Sequence, residues 1–315
     1  SVFGQAAYKP RAALSGLLCL ALLAGGLMVL MLDLGRPDRV IVAATHFNFT
    51  SVFAWNVFLY SGMAGIVVVY LWTLFEHRHN AWSKPVGMLA LLWRFALTTG
   101  TGSIFGFLVA RPAYQSALLA PLFIVLSLGW GLAVFLIAQA ALYAWNGKTL
   151  APDIERRMAR LLGIFLLASL YMVNALYFAR QQAFEAFVLL GTQGGALYAW
   201  LFWAGFVLAG SLLPLLLLFH PKLASTRGTL AASLLVVGGA FAWLFVFIIG
   251  GQAFPMEIFP GFVESSSFGD GAVATYVPSL PEFLLGVGGL AAAFVITLAG
   301  VRALDFMPHD VAAKA

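Results

Sequence analysis

Residues 12–32 read AALSGLLCLALLAGGLMVLML, an uncharged run that leads directly into Leu32-Asp33-Leu34-Gly35-Arg36-Pro37-Asp38-Arg39, where four charges fall within eight residues. A helix rises 1.5 Å per residue and a bilayer core takes about 20 apolar residues to cross, so the run has the length of one transmembrane helix. Charges at the mouth of such a helix are either interface anchors or part of a site. The rest of the chain has to decide between them.

Working outward, the same composition continues. Only 9% of the 315 residues are charged and 62% are hydrophobic, with mean hydropathy +0.96, which marks an integral membrane protein. The apolar runs exceed the alternating segments of about ten residues found in outer-membrane barrels, and helices are the other way to satisfy a backbone in lipid. The fold class is therefore an all-α integral membrane protein. Eight spans are expected, at about residues 12–32, 51–75, 86–109, 118–144, 159–179, 194–219, 229–250 and 282–303. The single cysteine, Cys19, lies inside the first span and leaves no cysteine framework for a disulfide or an iron-sulfur cluster.

Numbering the connections alternately sorts the charges. Twelve of the 17 Lys and Arg residues fall on one side and four on the other, with Arg94 inside a span. The positive-inside rule makes the first side cytoplasmic and places both ends of this multi-pass chain there; the expected location is a bacterial or archaeal cytoplasmic membrane. The net charge of +5 is thus spread over membrane loops and lipid headgroups, and no nucleic-acid partner is implied. Asp33, Asp38, Glu185, Glu257, Glu264, Asp270 and Glu282 gather on the outer side, together with the longest connection, 251–281. A loop of that length in a compact protein is usually functional or docked to a partner.

The five histidines, His46, His77, His79, His220 and His309, all fall outside the expected spans, so no paired axial ligands for haem are read, and no bound metal is expected. A quinone asks for a flat apolar slot, one or two hydrogen-bond donors at its carbonyls, and a group that exchanges protons with water. Asp33, Arg36, His46, Asn48, Ser103, Arg111 and Tyr114 supply that inventory on the outer side. Asp33 with Arg36 reads equally as a structural ion pair or as the catalytic pair. The small residues Gly102 and Gly106 suit close helix packing. Arg94 lies nine residues after Pro85, about 14 Å along a helix. With Thr98, Thr101, Tyr171 and Asn174 it forms either a proton path or a hydrogen-bonded core.

Three groups of motifs resemble the NrfD/PsrC family of quinone-interacting membrane subunits: Leu32 to Pro37; His46-Phe47-Asn48-Phe49-Thr50-Ser51-Val52; and Phe107 to Tyr114 followed by Pro121-Leu122-Phe123. Gly250-Gly251-Gln252-Ala253-Phe254-Pro255 and Tyr276 to Glu282 are similar to the longer HybB/DsrP-like branch. The resemblance implies a membrane anchor with no redox metal of its own. Such an anchor exchanges electrons between menaquinone or ubiquinone near the outer face and an extracytoplasmic iron-sulfur subunit of the four-cluster ferredoxin type, within a complex that also holds a catalytic subunit. It points to Asp33, Arg36, Asn48 and the Arg111–Tyr114 segment for the quinone, and Gln252 and Glu257 are read as partner contacts. It also implies at least one further helix before the first span.

On this reading the whole of 1–315 is one polytopic domain, with 12–109 part of the quinone-site bundle and 118–250 a second four-helix bundle. The loop 251–281 is extracytoplasmic and 282–303 an extra C-terminal helix. The rivals are a secondary transporter with a polar path through the third span and a structural anchor without quinone turnover.

Overall fold

A computed structural model describes residues 6–147, 151–180, 182–256, 259, 262, 271–304 and 306. Among them there is no strand. Ten helices carry the chain: α1 (Ala12–Asp33), α2 (Val40–Thr45), α3 (Val52–Phe75), α4 (Ser83–Gly106), α5 (Leu119–Trp145), α6 (Pro152–Arg180), α7 (Ala183–Leu190), α8 (Ala196–Phe219), α9 (Thr226–Ala253) and α10 (Leu280–Ala303). Eight of them, all but the short α2 and α7, are long and apolar enough to cross a membrane, and they fall on the eight expected spans. The helices overrun the apolar windows where polar sequence also favours helix. α6 begins at Pro152, a favoured first residue, and carries Asp153 and Glu155 in its first turn beside the positive helix end.

The chain forms two compact units, 1–100 with 277–315 and 101–276, so the boundary falls inside α4. In the first unit α1 packs along α10 and against α3. Helix association in lipid gains nothing from hiding apolar surface from water, so close packing must supply the attraction. The glycines show how. A side chain on Gly25 would strike the carbonyl of Gly289, and one at Gly16 would come within 2.8 Å of Leu71. The final helix, α10, begins with a capping box in which Ser279 Oγ and the Glu282 carboxylate bond reciprocally to backbone N–H groups.

The second unit holds α5 to α9 around an aromatic core of Tyr114, Tyr177, Phe184, Phe187, Phe202, Trp243 and Phe247. Trp243 and Phe247 stack with centroids 4.8 Å apart. α8 and α9 meet at glycines, for a side chain on Gly210 would lie 2.6 Å from the Cα of Gly239. Both helices widen into π turns, over Leu201–Leu212 in α8 and Phe245–Gly250 in α9. Short α7 is a helix the apolar runs did not single out. Gln182 and Glu185 cap its start, Gly191 ends it at φ +70, and Phe184, Phe187 and Val188 are buried in the core.

Candidate functional site

In the second unit, the end of α4 and the start of α5 come unusually close. A side chain at Gly102 would lie 2.6 Å from the carbonyl oxygen of Leu119, and one at Gly106 would lie 2.9 Å from that of Ser116. The packing role expected of these small residues is what the structure shows. The connection between the two helices folds back over the last turn of α4 and leaves a cleft of about 420 Å³. Ser103, Gly106, Phe107, Gln115, Ser116, Ala117 and Ala120 line it. That volume lies within the usual range for small-molecule pockets, about 300–1,000 Å³. Its walls pair an aromatic face and small residues with two hydroxyls and an amide, a lining suited to a flat ring bearing oxygen atoms at its edge.

Arg111 and Tyr114 belong to the same connection, and both turn into the protein. The Arg111 guanidinium donates to the carbonyls of Gln252 (2.8 Å) and Phe254 (3.4 Å), closing the end of α9 with a cation where the helix exposes unpaired carbonyls. The Tyr114 ring is 1% exposed, and its hydroxyl lies 3.1 Å from each of the carbonyls of Phe247 and Ile248, to which it donates. Burial pushes this phenol up to about 12, against a smaller opposing pull from the Arg111 guanidinium. Behind it, Phe105 packs on Tyr114 and Phe247 at 5.1 Å each. Arg180 completes the clamp by donating to the carbonyl of Tyr114 (3.3 Å) and pairing with Glu185 (3.7 Å). Ala274 N–H donates to the carbonyl of Ala253 at 2.8 Å, tying down the far end of the long connection.

In the first unit the motif residues are exposed and held only by near neighbours. Asp33 ends α1, and Arg36 precedes a short 3-10 turn, Pro37–Arg39. Both are exposed, and among the described residues no ion pair joins them. Asn48 Oδ1 accepts from the N–H (3.0 Å) and hydroxyl (2.7 Å) of Thr50, an Asx turn that sets up the start of α3. His46 Nδ1 sits 3.2 Å from the hydroxyl of Thr45. Between these polar groups Phe47, Phe49, Trp55 and Phe58 form an aromatic patch, with Phe47 and Phe58 centroids 4.2 Å apart.

The residues read as a proton path fall in both units. Arg94 is exposed on α4, and its carbonyl accepts from the hydroxyl of buried Thr98 (2.8 Å). Thr101 is half-buried in the second unit. Tyr171 is 73% exposed there, and Asn174 donates to the carbonyl of Leu170 (2.7 Å). Gln252 is exposed, while Glu257 lies outside the described residues. Among the described residues, no three His, Cys, Asp or Glu side chains cluster closely enough to hold a metal.

Sequence reasoning gave no site role to Gln115, Ser116, Arg180 or Glu185, although it placed Arg180 and Glu185 on the same side as Arg111 and Tyr114. Gln115 and Ser116 stand directly after the Arg111–Tyr114 motif, and that adjacency was the available signal.

Eight membrane-length helices in two units, with polar motifs gathered at helix ends, define a multi-pass integral membrane protein. The family described as polysulphide reductase, NrfD, matches residues 1–256, and the chain belongs to the NrfD family. It is 30% identical to the Hdr-like menaquinol oxidoreductase integral membrane subunit of Archaeoglobus fulgidus, over 98% of this chain and 79% of the relative. A dimethyl sulfoxide reductase membrane subunit of Halobacterium salinarum is 27% identical, over 90% of this chain and 72% of that protein. Protein NrfD of Escherichia coli is 27% identical over 61% of this chain and 67% of its own length.

Proposed function

We propose that the protein is a quinone-interacting membrane subunit of a respiratory or sulfur-metabolism oxidoreductase complex, of the longer HybB/DsrP-like branch. The observation that carries this reading is the similarity, along nearly the whole chain, to a subunit named as part of a menaquinol oxidoreductase. The cleft beside Ser103 provides a place of fitting size and chemistry for the quinone head.

A bound quinone carries two electrons and two protons between its carbonyl and hydroxyl forms. Ser103 and the Gln115 amide hydrogen-bond to the oxygens at the ring edge, and Phe107 with the small residues Gly106 and Ala120 forms the flat wall. Arg111 and Tyr114 act one layer back, fixing the connection that makes one side of the cleft. On the sequence alone, Asp33 is read as the group that exchanges protons, with Arg36, His46 and Asn48 as further polar groups of the first connection. Electrons pass to or from an extracytoplasmic iron-sulfur subunit of the four-cluster ferredoxin type, docked through Gln252, Glu257 and their neighbours, and from there to a catalytic subunit. The Arg-rich side faces the cytoplasm.

Filling the cleft tests the reading. Ser103→Phe in the assembled complex is expected to lower quinone-dependent electron transfer at least about tenfold, while turnover of the partner subunits with a soluble electron carrier is unchanged. Asp33→Asn is expected to slow quinone turnover about 100-fold without loss of assembly. Wild-type quinone turnover in the Ser103 variant would reject the cleft, and wild-type turnover in the Asp33 variant would remove that residue from the proton transfer.

A further inference from the structure

The opposite end of the second unit carries a second cleft, larger than the first. It measures about 510 Å³ and lies where the start of α6 faces the connection between α8 and α9. Arg156 and Arg160, one turn apart on α6, stand at its polar wall, and Leu218, Phe219 and Pro221 form the apolar one. The one carboxylate in the lining, Glu155, is 8% exposed and engaged by the hydroxyl of Thr226 at 2.9 Å. That bond turns the acid toward α9 and leaves the two guanidinium groups to set the charge of the opening. The N-terminal ends of α6 and α9 both come to this cleft, adding their partial positive charge.

We propose that this cleft binds the headgroup of an anionic phospholipid, with the phosphate against Arg156 and Arg160 and an acyl chain along Phe219 and Leu216. The apolar half of the site decides for lipid over a free anion. Phe219, which lines the cleft, and Leu216, one turn before it on the same helix, are 48% and 50% exposed, so the apolar wall of the cleft leads onto an exposed apolar face of a membrane-length helix. Its position at the ends of transmembrane helices, on the side where Arg157, Lys222 and Arg227 also lie, is where basic pockets between helices recognise anionic headgroups. Glu155 with Thr226 acts as a positioning pair that keeps the carboxylate from competing with the phosphate.

The protein, extracted in mild detergent and stripped of lipid, is titrated with cardiolipin, phosphatidylglycerol, phosphatidylcholine or inorganic phosphate, and binding is read by native mass spectrometry. The expected result is preferential retention of an anionic lipid, with affinity falling about 30-fold in the Arg156→Gln, Arg160→Gln double variant and unchanged in Arg227→Gln, whose side chain is not in the lining. Equal retention of phosphatidylcholine, competition by inorganic phosphate at millimolar concentration, or wild-type affinity in the double variant would each overturn the proposal. A photoactivatable phosphatidylglycerol on the wild-type protein gives a result independent of variant folding. Label within 152–160 or 216–229 supports the site, and label confined to other segments rejects it.

Discussion

Residues 34–51 and 107–118 both join membrane-length helices at the end read as outer, and both carry short polar motifs, yet they are held in place in opposite ways. In the first, the bonds of the motif residues reach only a few residues along the chain: Asn48 to Thr50, His46 to Thr45, Arg39 to Arg36. In the second, Arg111 and Tyr114 reach 133 to 143 residues ahead to the end of α9. Motif residues of the same type therefore do different work. Those of the first connection remain at the surface, available to a ligand or partner, whereas those of the second brace the scaffold and leave the contact surface to their neighbours Ser103 and Gln115.

The sharpest way to break this comparison is Tyr114→Ala, which empties a fully buried aromatic site and is expected to cost about 3–5 kcal/mol. A thermal melt of the detergent-extracted protein measures it, and a shift near zero would mean that the connection is not braced there. Arg111→Met is the next largest. It leaves the Gln252 and Phe254 carbonyls without their cation, at about 1.5–3 kcal/mol, and faster hydrogen exchange at the end of α9 would locate the damage. The Tyr114 phenol adds a pH test. Its folded value is raised from 10.0 to about 12, so the stability it contributes is full below pH 10 and is lost as pH rises through the folded value. The stability gap between wild type and Tyr114→Phe should accordingly be constant from pH 7 to 9 and shrink above pH 10. Asn48→Ala sits at the other extreme. Its bonds are local and exposed, and a change within about 0.5 kcal/mol is expected. A loss as large as that of Arg111→Met would show that the first connection is braced as well.

The same contrast explains what could be read from the sequence. Span number follows from the length of apolar runs, which is why all eight membrane-length helices were legible, down to Asp33 closing the first. α7 was not, because an eight-residue helix with Phe184, Phe187 and Val188 on its buried face offers no run of membrane length and merges with the flank of its neighbour. The wider turns of α8 and α9 were hidden for a related reason: apolar residues suit either winding. The candidate cleft was partly legible through Ser103, Gly102 and Gly106, small residues in a helix that needs a reason for them. The inward roles of Arg111 and Tyr114 were not, since their partners are backbone carbonyls far along the chain, and a carbonyl carries no signature in a residue name. The second cleft was invisible for the same cause, for the basic residues at 156–160 look like ordinary cytoplasmic tethers until Phe219 and Thr226 are set beside them.

The wide stretch Phe245–Gly250 makes α9 unusually tolerant of a change in chain length. A π turn accommodates a residue more than an α turn does, so a one-residue deletion there can be absorbed by rewinding to ordinary helix without breaking the span. Rewinding also preserves phase, because the extra residue lies inside the wide turn, and the Gln252 and Phe254 carbonyls would still face Arg111. The same deletion in an ordinary α-helical stretch would swing everything beyond it by about 100°, one residue's rotation at 3.6 per turn. A relative one residue shorter could therefore keep both the span and the Arg111 clamp if the residue is lost here, so sequence comparisons across this stretch should note where a gap falls as carefully as which residues differ.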